Sequence, residues 1–365
     1  MADYTTIDNS FKHFNTVTYT GNVDHSSANG SQAITGVGFQ PDWVWIKPYV
    51  LGYSAGSHNL TDSVRGAGKG LFADLNSAEY DYGTSANGGT VIAFGSDGFT
   101  LGGASQVNED SNTYVAWNWL AGGTASSNSD GSITSSVSVN TTAGFSIVSY
   151  TGTGSNATIG HGLGSAPQVV LLKERNGSNN WIMSHQPLSD SLSDFTRFLT
   201  LNSNGAVSGA GNVLFQSSAF TSSVFNVGTS AASNGSSQTF IAYCFAEKTG
   251  FSKFGKYTGN ASVDGPYAYL GFEPAWVLIK RTDSSDNWML YDNKRDTENP
   301  LTVALNADTS GAQFTTSNTL DFLSTGFKLK STEATTNASG GTFIYMAFAQ
   351  NPFVTAGTKA AGTAR

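Results

Sequence analysis

The chain is predicted to fold into three tandem antiparallel β-sandwich domains behind a short N-terminal segment. Three observations predict this all-β fold: one sequence pattern occurs three times, apolar residues alternate with polar ones as in strands, and Asn-Gly and Asp-Gly turns separate the apolar runs. The sequence contains no convincing helix longer than two turns. A two-layer sandwich is therefore the favoured architecture of each repeat, and a closed barrel is the alternative.

Each copy of the pattern begins with Tyr-Thr-Gly, at Tyr19, Tyr150 and Tyr257. It continues with a glycine, a proline and an apolar run that ends in lysine, and it closes on a threonine followed by aromatic and apolar residues. The starts are separated by about the length of an ordinary domain, roughly 100–150 residues, whereas solenoid repeats span roughly 20–50. We therefore expect each copy to bury its own core.

The repeats divide the chain into five parts. These are an N-terminal segment (1–16), three sandwich repeats (17–122, 132–250 and 251–353) and a tail (354–365). The Ser- and Gly-rich residues 122–131 are the best linker in the chain, whereas residues 247–250 leave almost no slack between repeats two and three. We therefore expect repeats two and three to be rigidly stacked and repeat one to be placed more independently.

The run after each proline is apolar on both faces, which is typical of a central strand that is covered on both sides. The proline fits just before such a strand, where its missing N–H costs nothing. Lys47, Lys173 and Lys280 end the three runs. We expect these lysines to mark the point where each strand emerges into water, rather than to bind a ligand.

Composition excludes several classes of function. Only 12% of the residues are charged, the net charge is −8, and lysine and arginine do not cluster, which disfavours nucleic-acid binding. The single cysteine, Cys244, excludes intrachain disulfides and lies in an apolar run, so we expect a small buried side chain. The N-terminus does not read as a signal peptide and no apolar stretch could span a membrane, so we expect synthesis in a cytoplasm without membrane insertion.

An enzymatic function is not expected. The histidines have no metal-ligand spacing, so no metal and no cofactor are predicted; they are His13, His25, His58, His161 and His185. Paired carboxylates, which polysaccharide cleavage requires, do not recur at one place in the three copies, and a Gly-x-Ser-x-Gly elbow is missing.

A binding surface remains. The intervals that differ most between the copies hold aromatic side chains that could stack on sugar rings. The candidate glycan- or receptor-binding residues are Tyr53, Tyr80, Tyr82, Trp181 and Trp288. The alternative is that these aromatic side chains cap the ends of the sandwiches or contact a neighbouring subunit.

Several phrases of the sequence are distinctive. They include Pro-Asp-Trp-Val-Trp-Ile-Lys at 41–47 and Thr-Asp-Ser-Val-Arg-Gly at 61–66, and further phrases at 4–8, 96–102, 114–119 and 143–148. In these phrases the chain resembles a family of structural proteins from tailed phages of marine cyanobacteria and other abundant ocean bacteria. The resemblance extends over nearly the whole chain and is most specific in repeat one. In repeats two and three Trp43 is matched by Val169 and Trp276, and the Asp-Ser-Val-Arg-Gly phrase is lost.

The resemblance implies jelly-roll or concanavalin-like (SPRY-like) sandwiches in a homotrimeric tail fibre or similar appendage of the virion. Such an appendage attaches to a bacterial host surface, and glycan is the ligand expected here. Tyr4, Phe11 and Phe14 would dock onto the tail or another virion protein, and repeats two and three would project outward. Two other functions stay open: a structural protein of the virion without a ligand, such as a capsid decoration or tail spacer, and a polysaccharide depolymerase.

Overall fold

The computed structural model describes residues 5–24, 26–52, 56–189, 195–209 and 211–352. Within these ranges the protein is all-β, as the sequence predicts, and its sheets are antiparallel. The helical segments there are single turns. They are α1 (Ser105–Asn108), α2 (Ala231–Asn234), α3 (Ala334–Asn337) and the 3-10 turns Ser10–Lys12 and Gln186–Leu188.

Repeat one is a two-layer sandwich. Its strands are β1 (Phe14–Thr20), β2 (Gln32–Ile34), β3 (Trp43–Val50), β4 (Asn59–Asp62), β5 (Lys69–Phe72), β6 (Tyr80–Asp81), β7 (Val91–Gly95), β8 (Gly98–Leu101) and β9 (Thr113–Trp119). One sheet has the order β1-β9-β3-β4-β5-β6, and the other has the order β2-β8-β7. Val44 and Ile46 of the first sheet pack with Phe99 and Leu101 of the second to form an outer core.

Repeat two has a larger main sheet and a smaller second layer. Its strands are β10 (Ser126–Asn128), β11 (Ser135–Asn140), β12 (Phe145–Thr151), β13 (Ala157–Gly160), β14 (Val169–Glu174), β15 (Ile182–His185), β16 (Arg197–Thr200), β17 (Ser208–Gly209), β18 (Val224–Val227) and β19 (Thr239–Phe245). The main sheet has the order β10-β11-β12-β19-β14-β15-β16-β17, and β13 pairs with β18. Val170 and Leu172 pack with Phe225 between the layers, and Cys244 is buried among them, as predicted.

Repeat three forms a single folded sheet. Its strands are β20 (Ser252–Thr258), β21 (Tyr267–Tyr269), β22 (Phe272–Arg281), β23 (Met289–Asp292), β24 (Leu301–Asn306), β25 (Phe314–Leu323), β26 (Gly326–Leu329) and β27 (Thr342–Pro352). The order is β20-β27-β22-β23-β24-β25-β26-β21. The sheet curls back on itself, so that β25 and β26 lie against β22 and serve as the second layer.

The three repeats share one register at their centres. The apolar run after each proline forms β3, β14 or β22, and it pairs with the closing strand β9, β19 or β27 of its own repeat. Equivalent residues follow from this register. For example, Trp43 pairs with Trp119 and Asp62, Val169 with Phe245 and His185, and Trp276 with Phe348 and Asp292.

One face of each main sheet packs against the other two repeats. Trp43 of repeat one stacks on Tyr243 of repeat two, with ring centroids 4.2 Å apart. Phe348 of repeat three lies 5.6 Å from Trp119 and 5.8 Å from Phe245. These buried side chains belong to one continuous cluster, here named the shared core, to which all three repeats contribute. The expectation that repeat one is placed more independently than repeats two and three is therefore wrong.

The predicted linker between repeats one and two is folded. Residues 126–128 form β10, which pairs with β11 at the edge of the main sheet of repeat two. Asp42 accepts hydrogen bonds from the backbone N–H groups of Ala121 (2.8 Å) and Gly123 (3.2 Å). These contacts hold the connection against repeat one, because a buried carboxylate requires hydrogen-bond donors.

The N-terminal segment is packed where the three repeats meet. Phe14 is 1% exposed and stacks on Phe348, with ring centroids 5.2 Å apart. Ile7 is also buried in the shared core, and Phe11 is half-buried. Phe14 is thus a core residue and is not exposed for docking to another protein. Tyr4 and the tail 354–365 lie outside the described residues.

Candidate functional site

The repeats meet at three boundaries, named one–two, two–three and three–one. In each repeat the strand that follows the central strand is β4, β15 or β23. At each boundary the last residue of this strand contacts the closing strand of the next repeat, which is β19, β27 or β9, respectively. The contacts are Asp62 with the Tyr243 hydroxyl (2.7 Å), His185 with the Tyr345 carbonyl oxygen (3.1 Å) and Asp292 with the Trp117 indole N–H (3.3 Å). Because each repeat contacts the next and the third contacts the first, the repeats form a closed ring.

A second ring of contacts lies at the opposite end of the same strands. An aromatic side chain just before each strand reaches a backbone carbonyl oxygen of the preceding repeat. The contacts are Trp181 with Phe72 (2.7 Å), Trp288 with Thr200 (3.1 Å) and His58 with Asn306 (3.0 Å). Trp181 and Trp288, predicted to bind glycan, are 0% and 1% exposed. They hold the repeats together, and a sugar cannot reach them.

A third ring consists of backbone hydrogen bonds across the boundaries. The N–H groups of Glu79, Val207 and Gln313 donate to the carbonyl oxygens of Arg175 (2.7 Å), Thr282 (2.9 Å) and Tyr49 (3.0 Å), respectively. The acceptor in each case lies two residues after the repeated lysine. The backbone of the three boundaries is thus equivalent, whatever side chains they carry.

The repeated lysines are buried, contrary to the expectation that they emerge into water. Lys47 donates to the carbonyl oxygens of Gly56 (2.6 Å) and Ser310 (3.0 Å), and Lys280 donates to that of Asn204 (3.2 Å), so both reach across a boundary. Lys173 donates within its own repeat. Burial lowers the pKa of each of these lysines to about 8, because desolvation penalises the charged form.

Tyr80 and Tyr82 form a partly exposed aromatic pair on repeat one. β6 is the edge strand of the main sheet, and Tyr80 is 59% exposed there. The ring of Tyr82 lies 4.6 Å from that of Tyr80 and packs edge-on against Phe72 on its inner side. Gly70 makes room for it, since a Cβ at that position would lie 2.9 Å from the Tyr82 ring. The pair therefore has one ring anchored on the sheet and one ring in water.

Charged groups accompany this pair. Lys69 forms an ion pair with Asp81, which lies between the two tyrosines in the sequence. The hydrogen bond from Lys69 holds the pKa of Asp81 below its ordinary value. An aromatic face beside carboxylate oxygens and an ammonium group is a combination that suits sugar hydroxyls. Tyr53, the remaining predicted aromatic residue of this repeat, lies outside the described residues.

Repeat three carries a second exposed pair that the sequence analysis missed. Tyr267 and Tyr269 are 43% and 59% exposed on the edge strand β21, on either side of buried Ala268. The Tyr267 hydroxyl lies 2.5 Å from the Thr325 hydroxyl. The Tyr-Ala-Tyr alternation was the available signal, because residues two apart on a strand share a face.

The other residues that the structure describes give no sign of a metal site, a membrane-spanning helix or a reactive thiol. No three His, Cys, Asp or Glu side chains there come together as a metal site. None of the described helices is both long and apolar enough for a membrane span. Burial raises the pKa of the Cys244 thiol, which disfavours the reactive thiolate.

Comparison with known proteins gives one match. A family model described as a domain of unknown function, DUF7483, matches residues 9–352, and so includes all three repeats. Searches of curated proteins and of solved structures found no match. The chain belongs to the DUF7483 family.

Proposed function

We propose that the protein is a virion component of a tailed phage, an appendage that attaches to a bacterial host surface by binding glycan. The resemblance to marine phage structural proteins supports the virion assignment. The observation that carries the binding role is the Tyr80–Tyr82 pair at an edge strand of a rigid body, with the Tyr80 ring exposed and the Tyr82 ring half-buried beside it. A second exposed pair, Tyr267 and Tyr269, lies on another repeat.

The arrangement favours weak binding at several places. A single tyrosine platform contributes little, but sites on one rigid body act together when they meet a surface with repeated sugars. Such avidity can exceed single-site affinity by about 10²–10⁴. The shared core and the three rings of contacts keep the repeats in fixed relative positions, so little flexibility is lost on binding.

The closed ring also bears on assembly. The apolar faces of the main sheets are already buried within one chain. A homotrimer or a contact with another virion protein would therefore use outer surfaces or the chain ends. Thr5 and Pro352 both lie against Gly250, so the two ends of the described chain are neighbours. We propose that this end faces the virion and that the tyrosine pairs contact the host.

Binding of the purified protein to host cells and to extracted surface polysaccharide tests this function. We expect saturable binding that weakens about tenfold or more in the Tyr80→Ala/Tyr82→Ala variant, because burying a large apolar side-chain face is worth about 1.5–3 kcal/mol. Leu75→Ala is the matched control, since Leu75 is an exposed apolar side chain of the same repeat.

The other outcomes identify the alternative functions. Absence of binding to every host fraction would contradict the attachment role and support a structural protein without a ligand. Release of short saccharides during the incubation would contradict it in favour of a depolymerase.

A further inference from the structure

A cavity of about 300 Å³ lies at boundary two–three. Its apolar wall is formed by both repeats: Pro187, Leu188 and Val207 come from repeat two, and Phe343 and Ile344 from repeat three. The exposed cationic residues Arg197 and Lys256 also line it. Its volume is at the lower end of the range for ligand pockets, roughly 300–1,000 Å³.

The corresponding position at boundary one–two is filled by ion pairs. Glu79 accepts hydrogen bonds from Arg175 (2.8 and 3.0 Å) and from Arg65 (3.1 Å). Arg65 is itself paired with Asp62 (2.5 Å). These long side chains lie between repeats one and two and connect their main sheets.

Boundary three–one is filled in a similar way. Arg295 is paired with Asp292 (2.6 Å) and donates a hydrogen bond to the Gln313 side chain (3.4 Å). Gln313 in turn donates its backbone N–H to Tyr49. The Asp-x-x-Arg arrangement of repeat one thus recurs in repeat three.

At boundary two–three the three equivalent positions carry shorter or uncharged side chains. Leu188 stands where the other repeats have Arg65 and Arg295, and Val207 stands where they have Glu79 and Gln313. Thr282 replaces Arg175 and Tyr49. Because the backbone contacts are unchanged, the lost side-chain volume remains as the cavity.

We propose that this cavity binds one acidic sugar unit, a pyranose that carries a carboxylate. The proposal rests on the attachment function above and names the sugar class. The apolar wall suits the C–H face of a pyranose ring, and Arg197 suits its carboxylate, because guanidinium binds carboxylate through two parallel hydrogen bonds. Asp283 also lines the cavity, but it is paired with Arg281 (3.1 Å) and so does not cancel the charge of Arg197.

Titration of the full chain with sodium glucuronate, followed by ligand-observed NMR, tests the proposal, with glucose as the neutral control ligand. We expect glucuronate to bind and glucose to bind at least tenfold more weakly, since a hydrogen bond to a charged group is worth about 1.5–3 kcal/mol. Equal binding of the two sugars, or absence of glucuronate binding, would overturn the proposal.

Two variants locate the binding. Val207→Glu/Thr282→Arg introduces the Glu79–Arg175 pair of boundary one–two, fills the cavity and should abolish glucuronate binding. Arg197→Gln, at an exposed position, should weaken it about tenfold or more for the reason given above. Lys294→Gln is the charge-matched control, an exposed lysine of repeat three outside the cavity lining. Glucuronate binding that persists in both cavity variants overturns the proposal even if the double variant is unstable.

The two proposals fail separately. Binding to host polysaccharide without glucuronate binding would refute the cavity assignment and leave the attachment function. Glucuronate binding in the cavity without any binding to host material would support the cavity site and refute the attachment function.

Discussion

Boundary one–two is filled by charged side chains, whereas boundary two–three is filled by apolar ones and keeps a cavity. Both are built on the same backbone hydrogen bond, from Glu79 to Arg175 in one case and from Val207 to Thr282 in the other. The backbone contact therefore defines the ring, and the side chains around it are free to diverge.

The same divergence appears at the last residues of β4 and β15, which contact the next repeat. Asp62 accepts from a tyrosine hydroxyl at boundary one–two, whereas His185 contacts a backbone carbonyl oxygen at boundary two–three. A carboxylate needs donors and a neutral histidine can donate, so the partner changes with the residue. Repeat two thus differs from its neighbours at several linked positions.

Removal of repeat three is the largest perturbation, because it opens boundaries two–three and three–one and leaves only boundary one–two. A chain that ends at residue 250 would expose the faces of Trp119 and Phe245 that pack against Phe348. We expect it to aggregate or to lack a cooperative unfolding transition, since large exposed apolar patches are not tolerated on soluble proteins. Near-UV circular dichroism and size-exclusion chromatography would show this. A monomeric fragment with a cooperative transition would mean that the charged boundary suffices.

Loss of one charged residue should destabilise more than loss of its apolar equivalent. Arg65→Met removes the guanidinium that is paired with buried Asp62 and that shares Glu79 with Arg175, which should lower the free energy of unfolding by about 3–5 kcal/mol. Leu188→Ala at boundary two–three should cost only about 2 kcal/mol, the low end of the range for a buried leucine, because Leu188 borders a cavity that already leaves part of its side chain without contacts. Chemical denaturation of the two variants measures both. Equal losses would show that the two boundaries contribute alike.

Much of the fold could be predicted from the sequence, but the ring could not. The pattern in residues 43–46 predicts a strand covered on both faces, and the structure confirms it. The residues that cover the second face come from distant parts of the sequence. The pattern indicates an apolar partner and does not indicate that Tyr243 and Phe348, from other repeats, supply it.

The site residues show why variability misled the sequence analysis. Trp181 and Trp288 resembled ligand-binding loop residues because their equivalent in repeat one, His58, is a different type of residue. The equivalence of His58, Trp181 and Trp288 is visible only in the contacts: the backbone N–H of each donates a hydrogen bond to a side-chain oxygen, of Asp74, Asn202 and Asp308, respectively. One signal was available and overlooked, namely that Asp-x-x-Arg occurs in repeat three as well as in repeat one.

Acid should act on boundary two–three through His185. Burial lowers the pKa of His185 to about 4, so between pH 6.5 and 4 the unfolded chain binds a proton that the folded chain does not. The free energy of unfolding therefore falls as the pH falls, by up to about 3 kcal/mol from this residue.

His185→Gln keeps a donor for the Tyr345 carbonyl oxygen and should remove this part of the slope. The pKa values of His58 and His161 are also lowered by burial, so some acid dependence should remain. Identical slopes for the variant and the parent would exclude His185 as the acid-sensitive residue.

The buried lysines should add a second pH dependence of stability, in the alkaline range. Their pKa of about 8 lies below the ordinary value of 10.5, so between these pH values the unfolded chain holds protons that the folded chain has released. The free energy of unfolding should thus rise as the pH rises from about 8 to about 10, where tyrosine ionisation in the unfolded chain begins to oppose it.

Lys280→Met at boundary two–three should reduce the slope, and Lys294→Met, at an exposed position, should leave it unchanged. Denaturant titrations at several pH values measure the slope. If Lys280→Met left it unaltered, Lys280 would have to stay protonated in the folded chain, held by the Asn204 and Arg281 carbonyl oxygens.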